Sequence, residues 1–113
     1  MRIISGNSKG KKILLPTDKS TRPLKDLVKE SIFNVLEHSN KLNLSISGSN
    51  ILDLFSGSGS FGIEAISRGA KKVYFVENYQ AAFDILSINI SNLDFQNSSE
   101  IVNDDCFNYL DKL

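Results

Sequence analysis

The sequence has few of the residues that build crosslinks, kinks or membrane spans. Its 113 residues include one cysteine, two prolines and no tryptophan. A single cysteine, Cys106, excludes an internal disulfide framework and a zinc site made of several cysteines, and it fits a reducing compartment. No run approaches the ~18 apolar residues that a membrane span requires, and residues 1–12 lack the apolar stretch of a secretory signal. We therefore expect a cytoplasmic protein with no membrane contact and no metal site.

Charge of one sign is not in excess over the whole chain. The 13 basic and 13 acidic side chains exclude a uniformly basic, histone-like protein. Residues 1–30 nevertheless hold eight basic and three acidic residues, a net charge of +5, and the remainder carries −5. A cationic arm beside an acidic body is one arrangement that binds phosphate backbones. A solvated surface without a polyanion partner is the alternative.

The N-terminal part predicts a β-hairpin followed by an amphipathic helix. Residues 2–5 and 11–15 are short strand-like runs around a turn rich in Gly, Ser and Asn. Thr21 is then a predicted N-cap, with Pro23 in the first turn of a helix. Apolar residues follow at spacings of three and four, which predicts about four helical turns. These residues are Leu24, Leu27, Val28, Ile32, Val35 and Leu36, and Phe33 widens the stripe.

After a Ser/Asn-rich linker over residues 40–50, strand and helix patterns alternate. The predicted strands are 51–55, 72–76 and 100–103, and the predicted helices are 61–68 and 80–93, with a helical turn over 106–110. The order β-α-β-α-β predicts an α/β fold with a parallel sheet and right-handed crossovers.

A glycine-rich turn after the first of these strands predicts a site for a nucleoside-containing cofactor. Gly57, Gly59 and Gly62 have the spacing of a dinucleotide-binding turn, and Glu77 at the end of the next strand can accept both ribose hydroxyls. Asp53 precedes the turn by four residues, where a carboxylate repels a pyrophosphate and attracts the cationic ammonium and sulfonium groups of S-adenosylmethionine. An aspartate that only caps local amides is the alternative. The site favours S-adenosylmethionine and leaves NAD as the second candidate.

Residues 51–65 resemble the first cofactor motif of class I methyltransferases. The chain more narrowly resembles the RsmD-type family of bacterial 16S ribosomal RNA guanine-N2 methyltransferases, along nearly all of its length. The other segments that carry the resemblance are 1–6, 9–11, 21–23, 30–36, 67–70 and 76–77. The resemblance implies the first three parallel strands of a Rossmann-like sheet, preceded by a β-hairpin and an amphipathic helix. It divides the chain into a basic, RNA-facing extension (1–39), a linker (40–50) and a cofactor-binding half (51–113).

The resemblance also implies roles for individual residues around the methyl donor. It places the methionine end of the cofactor at Asp53 and at the backbone from Gly57 to Gly59, with Phe55 in the cofactor-binding set. It assigns the ribose hydroxyls to Glu77.

The adenine end and the substrate side follow from the same resemblance. Asn78 should lie beside the adenine, Asp105 should accept its amino group, and the amide of Cys106 should support the ring. Asp104 replaces the glycine that the family has at this point. The residues expected at the active-site mouth or against RNA are Arg2, Lys11, Lys12 and Arg22.

The catalytic motif of such enzymes is missing from this sequence. It is an Asn/Asp-Pro-Pro-Tyr/Phe tetrad after the fourth strand, which orients the target amine and stacks on a flipped-out base. The only prolines here are Pro16 and Pro23, and the sequence ends at Leu113, just past the third predicted strand. We therefore expect part of a longer methyltransferase that carries no catalytic residue and does not transfer methyl groups alone.

The sequence leaves alternatives for the edge of the predicted sheet and for the function. In the family's strand order, 3-2-1-4-5-7-6, the first strand would lie at a long apolar edge, which a partner strand or self-association would close. A fragment of an NAD-dependent oxidoreductase and a non-catalytic RNA- or cofactor-binding module are the alternative functions.

Overall fold

A computed structural model of the chain describes residues 1–15, 26–38, 45–54 and 56–113. Helix α1 (Asp26–His38) comes before an alternating series of strands and helices. That series is β1 (Asn50–Asp53), α2 (Ser60–Ser67), β2 (Lys72–Val76), α3 (Gln80–Asn92), β3 (Ser99–Val102) and α4 (Cys106–Asp111), with a 3-10 turn at Gln96–Ser98. None of the helices in these segments is both long enough and apolar enough to span a bilayer.

The strands form one parallel sheet in the order β1-β2-β3, as the β-α-β-α-β pattern predicts. Leu52 of β1 lies opposite Tyr74, and Phe75 of β2 lies opposite Ile101. β2 occupies the centre because Val73, Phe75 and Val76 are apolar and fully buried, which suits a strand covered on both faces.

β1 is shorter than its apolar run predicts. The strand ends at Asp53, where the Ser56 hydroxyl donates to the Asp53 carbonyl oxygen at 2.8 Å and turns the chain. β1 lies at the end of the strand order, and Leu52 is 40% exposed. Among the described residues, the edge that β1 forms is therefore four residues long, which is shorter than the edge that the sequence predicts.

Helix α2 lies close to the sheet because Gly62 faces it. A Cβ atom built on Gly62 would lie 2.3 Å from Cε1 of Phe75 and 2.9 Å from Cγ1 of Val73. The third glycine of the turn thus sets the distance between helix and sheet. The core around this contact consists mainly of Ile3, Ile13, Phe33, Ile63, Val73, Phe75, Leu86 and Ile90.

The predicted β-hairpin keeps its chain reversal, but its strands are reduced to one antiparallel bridge between Arg2 and Lys12. The Ile3 amide donates to the Lys11 carbonyl at 2.9 Å, and the Ile13 amide donates to the Met1 carbonyl at 2.8 Å. We call residues 1–15 the N-terminal hairpin.

Helix α1 buries a different face from the one that its apolar periodicity indicates. Phe33 is completely buried and stacks on Phe61 of α2, with 4.7 Å between ring centroids. Most of the predicted apolar stripe is exposed: Leu27 75%, Val28 45%, Ile32 36% and Val35 56%. The aromatic ring and an ion pair described below therefore orient the helix. The predicted N-cap Thr21 and the first-turn Pro23 lie outside the described residues.

Candidate functional site

Acidic side chains follow each of the three strands at one edge of the sheet. Asp53 ends β1, Glu77 follows β2 directly, and Asp105 lies three residues after β3. Because the strands are parallel, their carboxyl ends meet at the same edge, where open α/β sheets bind ligands. All three side chains are partly buried. The structure thus brings together acidic residues that the sequence singles out at separate points.

The glycine turn connects β1 to α2 in a conformation that favours glycine. Gly57 has φ +55° and Gly59 has φ +88°, both in the left-handed region. The Gly59 amide donates to the Ser56 carbonyl at 2.8 Å, and the Ser56 amide donates to the Val76 carbonyl at 3.2 Å. Gly59 caps α2 without a side chain of its own. The turn therefore presents backbone rather than side chains at the start of the helix.

Glu77 closes this turn from the end of β2. Its Oε1 accepts the Gly57 amide at 2.8 Å, and its Oε2 accepts the Tyr79 amide at 3.0 Å. An acidic residue at this point of a β-α-β unit binds ribose hydroxyls in nucleotide-binding α/β folds. A ligand with hydroxyl donors or positive charge suits the same position.

Asp105 is the N-cap of helix α4. Its Oδ1 accepts the amides of Phe107 at 2.9 Å and Asn108 at 3.2 Å, so only Oδ1 is committed to these two capping bonds. Asp104, which stands where the family has glycine, accepts the Asp105 amide at 2.8 Å and pairs with Lys112 at 3.0 Å. The Lys112 contact lowers the pKa of Asp104 below its usual range. The added carboxylate thus closes this loop onto α4.

The remaining predicted cofactor residues lie around the same edge or outside the described segments. Asn78 is exposed directly after Glu77, and Cys106 is a buried free cysteine at the first position of α4. Phe55 and Arg22 lie outside the described residues.

Within the described residues, the N-terminal hairpin carries exposed residues of the predicted basic surface. Arg2, Lys11 and Lys12 are exposed, as is Lys9, and residues 1–15 contain no acidic residue. Arg2 also donates from Nη1 to the Gly10 carbonyl at 2.9 Å. Lys29 is fully buried, so the sequence count that placed it in a cationic arm is wrong for this residue.

Lys29 belongs to a buried ionic cluster that the sequence reasoning missed. Glu64 of α2 is completely buried; its Oε1 lies 3.3 Å from Lys29 Nζ, and its Oε2 accepts from Arg68 Nε at 2.9 Å. The same carboxylate accepts the amides of Ile4 at 2.8 Å and Ser5 at 3.0 Å. Glu64 therefore fixes the N-terminal hairpin and α1 onto α2. The sequence signal for this cluster is the acidic Glu64 among the apolar residues of α2.

Asn89 of α3 was also missed, and it touches the glycine turn. Its side chain is 1% exposed. Oδ1 accepts the Leu14 amide at 2.8 Å, and Nδ2 donates to the carbonyls of Leu14 at 3.0 Å and Ser58 at 2.9 Å. A polar residue among the apolar positions of α3 could have indicated it.

With this geometry in place, comparison with known proteins gives a family. The family model described as conserved hypothetical protein 95 matches residues 1–113. The chain belongs to this family, the RsmD family.

Curated relatives of the RsmD family match nearly the whole chain. The ribosomal RNA small subunit methyltransferase D of Haemophilus influenzae is 37% identical over 111 residues, which cover 97% of this chain and 54% of that protein. The protein of the same name from Escherichia coli K12 is 34% identical over 110 residues, covering 97% of this chain and 52% of the relative. The chain thus spans about half the length of these relatives.

Solved structures show the same fold. The "putative methyltransferase yhhF" of Escherichia coli superposes with a TM-score of 0.81 at 31% identity, covering 97% of this chain and 55% of that one. A Thermus thermophilus protein, TTHA0928, superposes with a TM-score of 0.79 at 23% identity, covering 99% of this chain and 60% of that chain. The α/β architecture is that of class I methyltransferases.

Proposed function

We propose that this chain binds S-adenosylmethionine at the carboxyl edge of its sheet, as the cofactor-binding part of an RNA methyltransferase. The carrying observation is the bond from the Gly57 amide to Glu77 at 2.8 Å. It places at the glycine turn the carboxylate that accepts ribose hydroxyls in nucleoside-containing cofactors, NAD and S-adenosylmethionine alike. Asp53 and Asp105 add two more acidic groups at the same edge. Asp53 is the group that supports a cationic methyl donor over NAD, because a carboxylate just before the glycine turn repels a pyrophosphate.

The residues of the edge fit the parts of that cofactor. Asp53 and the backbone of Gly57 and Gly59 would hold the methionine end, where the ammonium and sulfonium carry positive charge. Glu77 would accept the ribose hydroxyls, because a carboxylate offers two acceptor oxygens. When bound, the cofactor supplies a methyl group on sulfur that is susceptible to attack by a nucleophilic amine.

The adenine would lie between the ends of β2 and β3. Asn78 is exposed beside it, Asp105 would accept the adenine amino group, and the Cys106 amide would support the ring. Phe55 completes the proposed set. Asp105 has Oδ2 available beyond its two capping bonds, which use Oδ1.

We propose ribosomal RNA as the substrate class and the N2 amine of a guanine as the target. Two observations support the class. The curated relatives are named as methyltransferases of small-subunit ribosomal RNA, and the N-terminal hairpin exposes Arg2, Lys9, Lys11 and Lys12 without an acidic neighbour in residues 1–15. The guanine N2 target rests on the family resemblance alone.

Methyl transfer needs more than a bound cofactor. The sequence has no Pro-Pro pair, so the tetrad that orients the acceptor amine in such enzymes is not among residues 1–113. We propose that these residues hold the methyl donor and contact RNA but do not methylate it alone. Incubation with radiolabelled S-adenosylmethionine and unmethylated small subunits should give no labelled RNA, and labelled N2-methylguanine would contradict this.

Calorimetric titration tests the cofactor directly. The chain should bind S-adenosylmethionine and S-adenosylhomocysteine and should show no heat with NAD or NADH under the same conditions. Saturable binding of NAD, with no response to S-adenosylmethionine, would replace the methyltransferase assignment by an oxidoreductase one.

A salt series tests the RNA surface. Fluorescence anisotropy with a single-stranded guanine-containing RNA should show affinity falling with salt, with a slope of ~0.7 per phosphate contact. Lys11→Glu should weaken binding and reduce that slope. Lys71→Glu is the matched control, because Lys71 is exposed but lies outside the hairpin. Equal losses for both variants would indicate a non-specific charge effect.

A further inference from the structure

Asn89 joins two parts of the molecule that the proposed function treats separately. One is the N-terminal hairpin, which it reaches at Leu14, and the other is the glycine turn, which it reaches at Ser58. These contacts span 75 and 31 residues of sequence. We propose that Asn89 is a positioning residue that fixes the cofactor turn and ties it to the N-terminal hairpin, so that cofactor binding and docking of the hairpin are thermodynamically linked.

The side chain of asparagine has the hydrogen-bonding capacity that this position uses. Its amide oxygen accepts the Leu14 amide, and its two N–H donors serve the carbonyls of Leu14 and Ser58. Toward Leu14 it acts as a neighbouring strand would, because it pairs with both the N–H and the C=O of one residue. Aspartate keeps the acceptor but has no donor, and alanine has neither.

The contact with Ser58 constrains the whole turn. A trans peptide points its N–H away from its C=O, so holding the Ser58 carbonyl toward α3 directs the Gly59 amide the other way. There it donates to the Ser56 carbonyl at 2.8 Å. Leu86, one helical turn before Asn89, also lies against this turn, since a Cβ on Gly59 would come within 2.4 Å of its Cδ1. Helix α3 therefore supports the turn through both an apolar contact and a hydrogen bond.

The contact with Leu14 brings in the basic surface. Leu14 follows Ile13, which is completely buried and bridges back to Met1. Arg2, Lys11 and Lys12 belong to the same hairpin. A ligand that orders the glycine turn should thus reduce opening of the hairpin. By reciprocity, a ligand that binds only the docked hairpin should raise cofactor affinity by the same factor as the cofactor raises the affinity for that ligand.

Amide hydrogen exchange in the ligand-free chain tests the link itself. In Asn89→Asp, the Gly59 amide should exchange faster, because the donor to Ser58 is lost, while amides between β2 and β3 should be unchanged. Asn89→Ala should also expose the Leu14 amide. Asn92→Ala is the matched control, because Asn92 is exposed on the same helix. Unchanged exchange at Gly59 in both Asn89 variants would overturn the proposal.

Cofactor titration tests whether Asn89 positions the glycine turn for cofactor binding, a claim that rests on the proposed function. With urea curves showing every variant folded, Asn89→Asp should lower the affinity for S-adenosylmethionine by about tenfold, the equivalent of the lost hydrogen bond to Ser58; the second lost bond, to the Leu14 carbonyl, belongs to the hairpin. A merely structural role would shift the urea midpoint and leave the affinity of the folded chain unchanged, which would contradict positioning.

Amide hydrogen exchange with the cofactor present separates the proposed linkage from the proposed cofactor binding. S-adenosylmethionine should slow exchange at Gly10, Ile13 and Leu14 in the wild-type chain, and this protection should be lost in Asn89→Asp. Cofactor binding without any protection of the hairpin would overturn the linkage but leave the proposed function standing. A wild-type chain that binds no cofactor would overturn the proposed function, and the ligand-free exchange would still decide the role of Asn89.

Discussion

Lys29 Nζ lies 3.3 Å from Oε1 of Glu64, and both side chains are completely buried. The two side chains differ in the other hydrogen bonds that they make. Glu64 also accepts from Arg68 and from the amides of Ile4 and Ser5, whereas within the described residues Lys29 donates otherwise only to the Arg2 carbonyl, at 3.4 Å. Removal of one partner therefore has a different consequence from removal of the other.

We expect Glu64→Ala to destabilise the chain much more than Lys29→Met. Loss of the carboxylate leaves a buried ammonium that, among the described residues, keeps only the Arg2 carbonyl, and it leaves two hairpin amides without this acceptor, at a cost of about 3–5 kcal/mol. Lys29→Met keeps the apolar stem and leaves Glu64 with three donors, so its cost should be ~1–2 kcal/mol. Urea unfolding measures both. Glu30→Ala, on the exposed face of α1, is the control, and equal losses at Lys29 and Glu64 would contradict the asymmetry.

Glu64 should also make the chain sensitive to acid. Burial raises the pKa of Glu64, but the Ile4 amide, Arg68, Lys29 and the Ser5 amide together lower it below its ordinary value. A lowered pKa in the folded state stabilises the fold above the unfolded-state value of about 4.3. That contribution is lost as the pH falls from there through the folded-state pKa.

The measurement is the free energy of unfolding between neutral pH and the acid range. The wild-type chain should lose stability more steeply below the ordinary carboxyl pKa than Glu64→Gln, which cannot take up this proton. Parallel curves for the two chains would show that other carboxylates cause the acid transition.

The orientation of α1 can be tested by two substitutions on its opposite faces. Phe33 is buried, stacks on Phe61 and lies under the Arg68 guanidinium at 4.7 Å, so Phe33→Ala should cost about 3–5 kcal/mol. Val35 is 56% exposed, and Val35→Ala should change stability by less than ~0.5 kcal/mol. A large effect at Val35 with a small one at Phe33 would mean that the apolar stripe faces the core.

Gly62 should tolerate no side chain. Gly62→Ala would place a Cβ 2.3 Å from Phe75 Cε1, at a cost of about 1–3 kcal/mol from overpacking. Phe75→Leu removes the two closest atoms, Cε1 and Cζ, and leaves the contact with Val73 Cγ1, so the double variant should lose less than the sum of the single losses. Gly10→Ala, which meets no atom within 4 Å but has φ +87°, should add independently to Phe75→Leu. Simple additivity at Gly62 would contradict the close approach.

Glu77 should decide cofactor affinity. Glu77→Gln keeps an acceptor for the Gly57 amide but removes one acceptor oxygen and the charge, and the affinity for S-adenosylmethionine should fall by at least about tenfold. Glu100→Gln is the matched control, because Glu100 is an exposed residue of the neighbouring strand β3. Calorimetry of both variants checks this, and equal affinities for the wild-type chain and Glu77→Gln would contradict the ribose assignment.

Elements with strong local signals were predictable from the sequence. β2 has the predicted bounds; α3 and α4 differ from their predictions by one residue at one end, and α2 and β3 begin and end one residue earlier than predicted. Spacing also placed Glu77 at the glycine turn, where it accepts the Gly57 amide. These features depend on periodicity and on the geometry of parallel strands, and both can be recognised from short stretches of sequence.

Features set by distant contacts were not predictable in the same way. The exposed side of α1 has the stronger apolar periodicity, yet the ion pair of Lys29 with Glu64 and the stacking of Phe33 on Phe61 orient the helix. Glu64 and Phe61 both lie on α2, about thirty residues further along the chain. No pattern within the sequence of α1 therefore identifies them as its contacts. The same holds for Asn89, whose partners belong to two other segments.

The docking of the N-terminal hairpin has a consequence for the order of assembly during synthesis. Its anchors, Glu64 and Asn89, are made 60 and 75 residues after their partners Ile4 and Leu14. At translation speeds of ~5–20 residues per second, Leu14 waits several seconds before its partner exists. The hairpin therefore leaves the ribosome well before the residues that hold it in place, and it makes its bonds to Asn89 only after helix α3 has emerged.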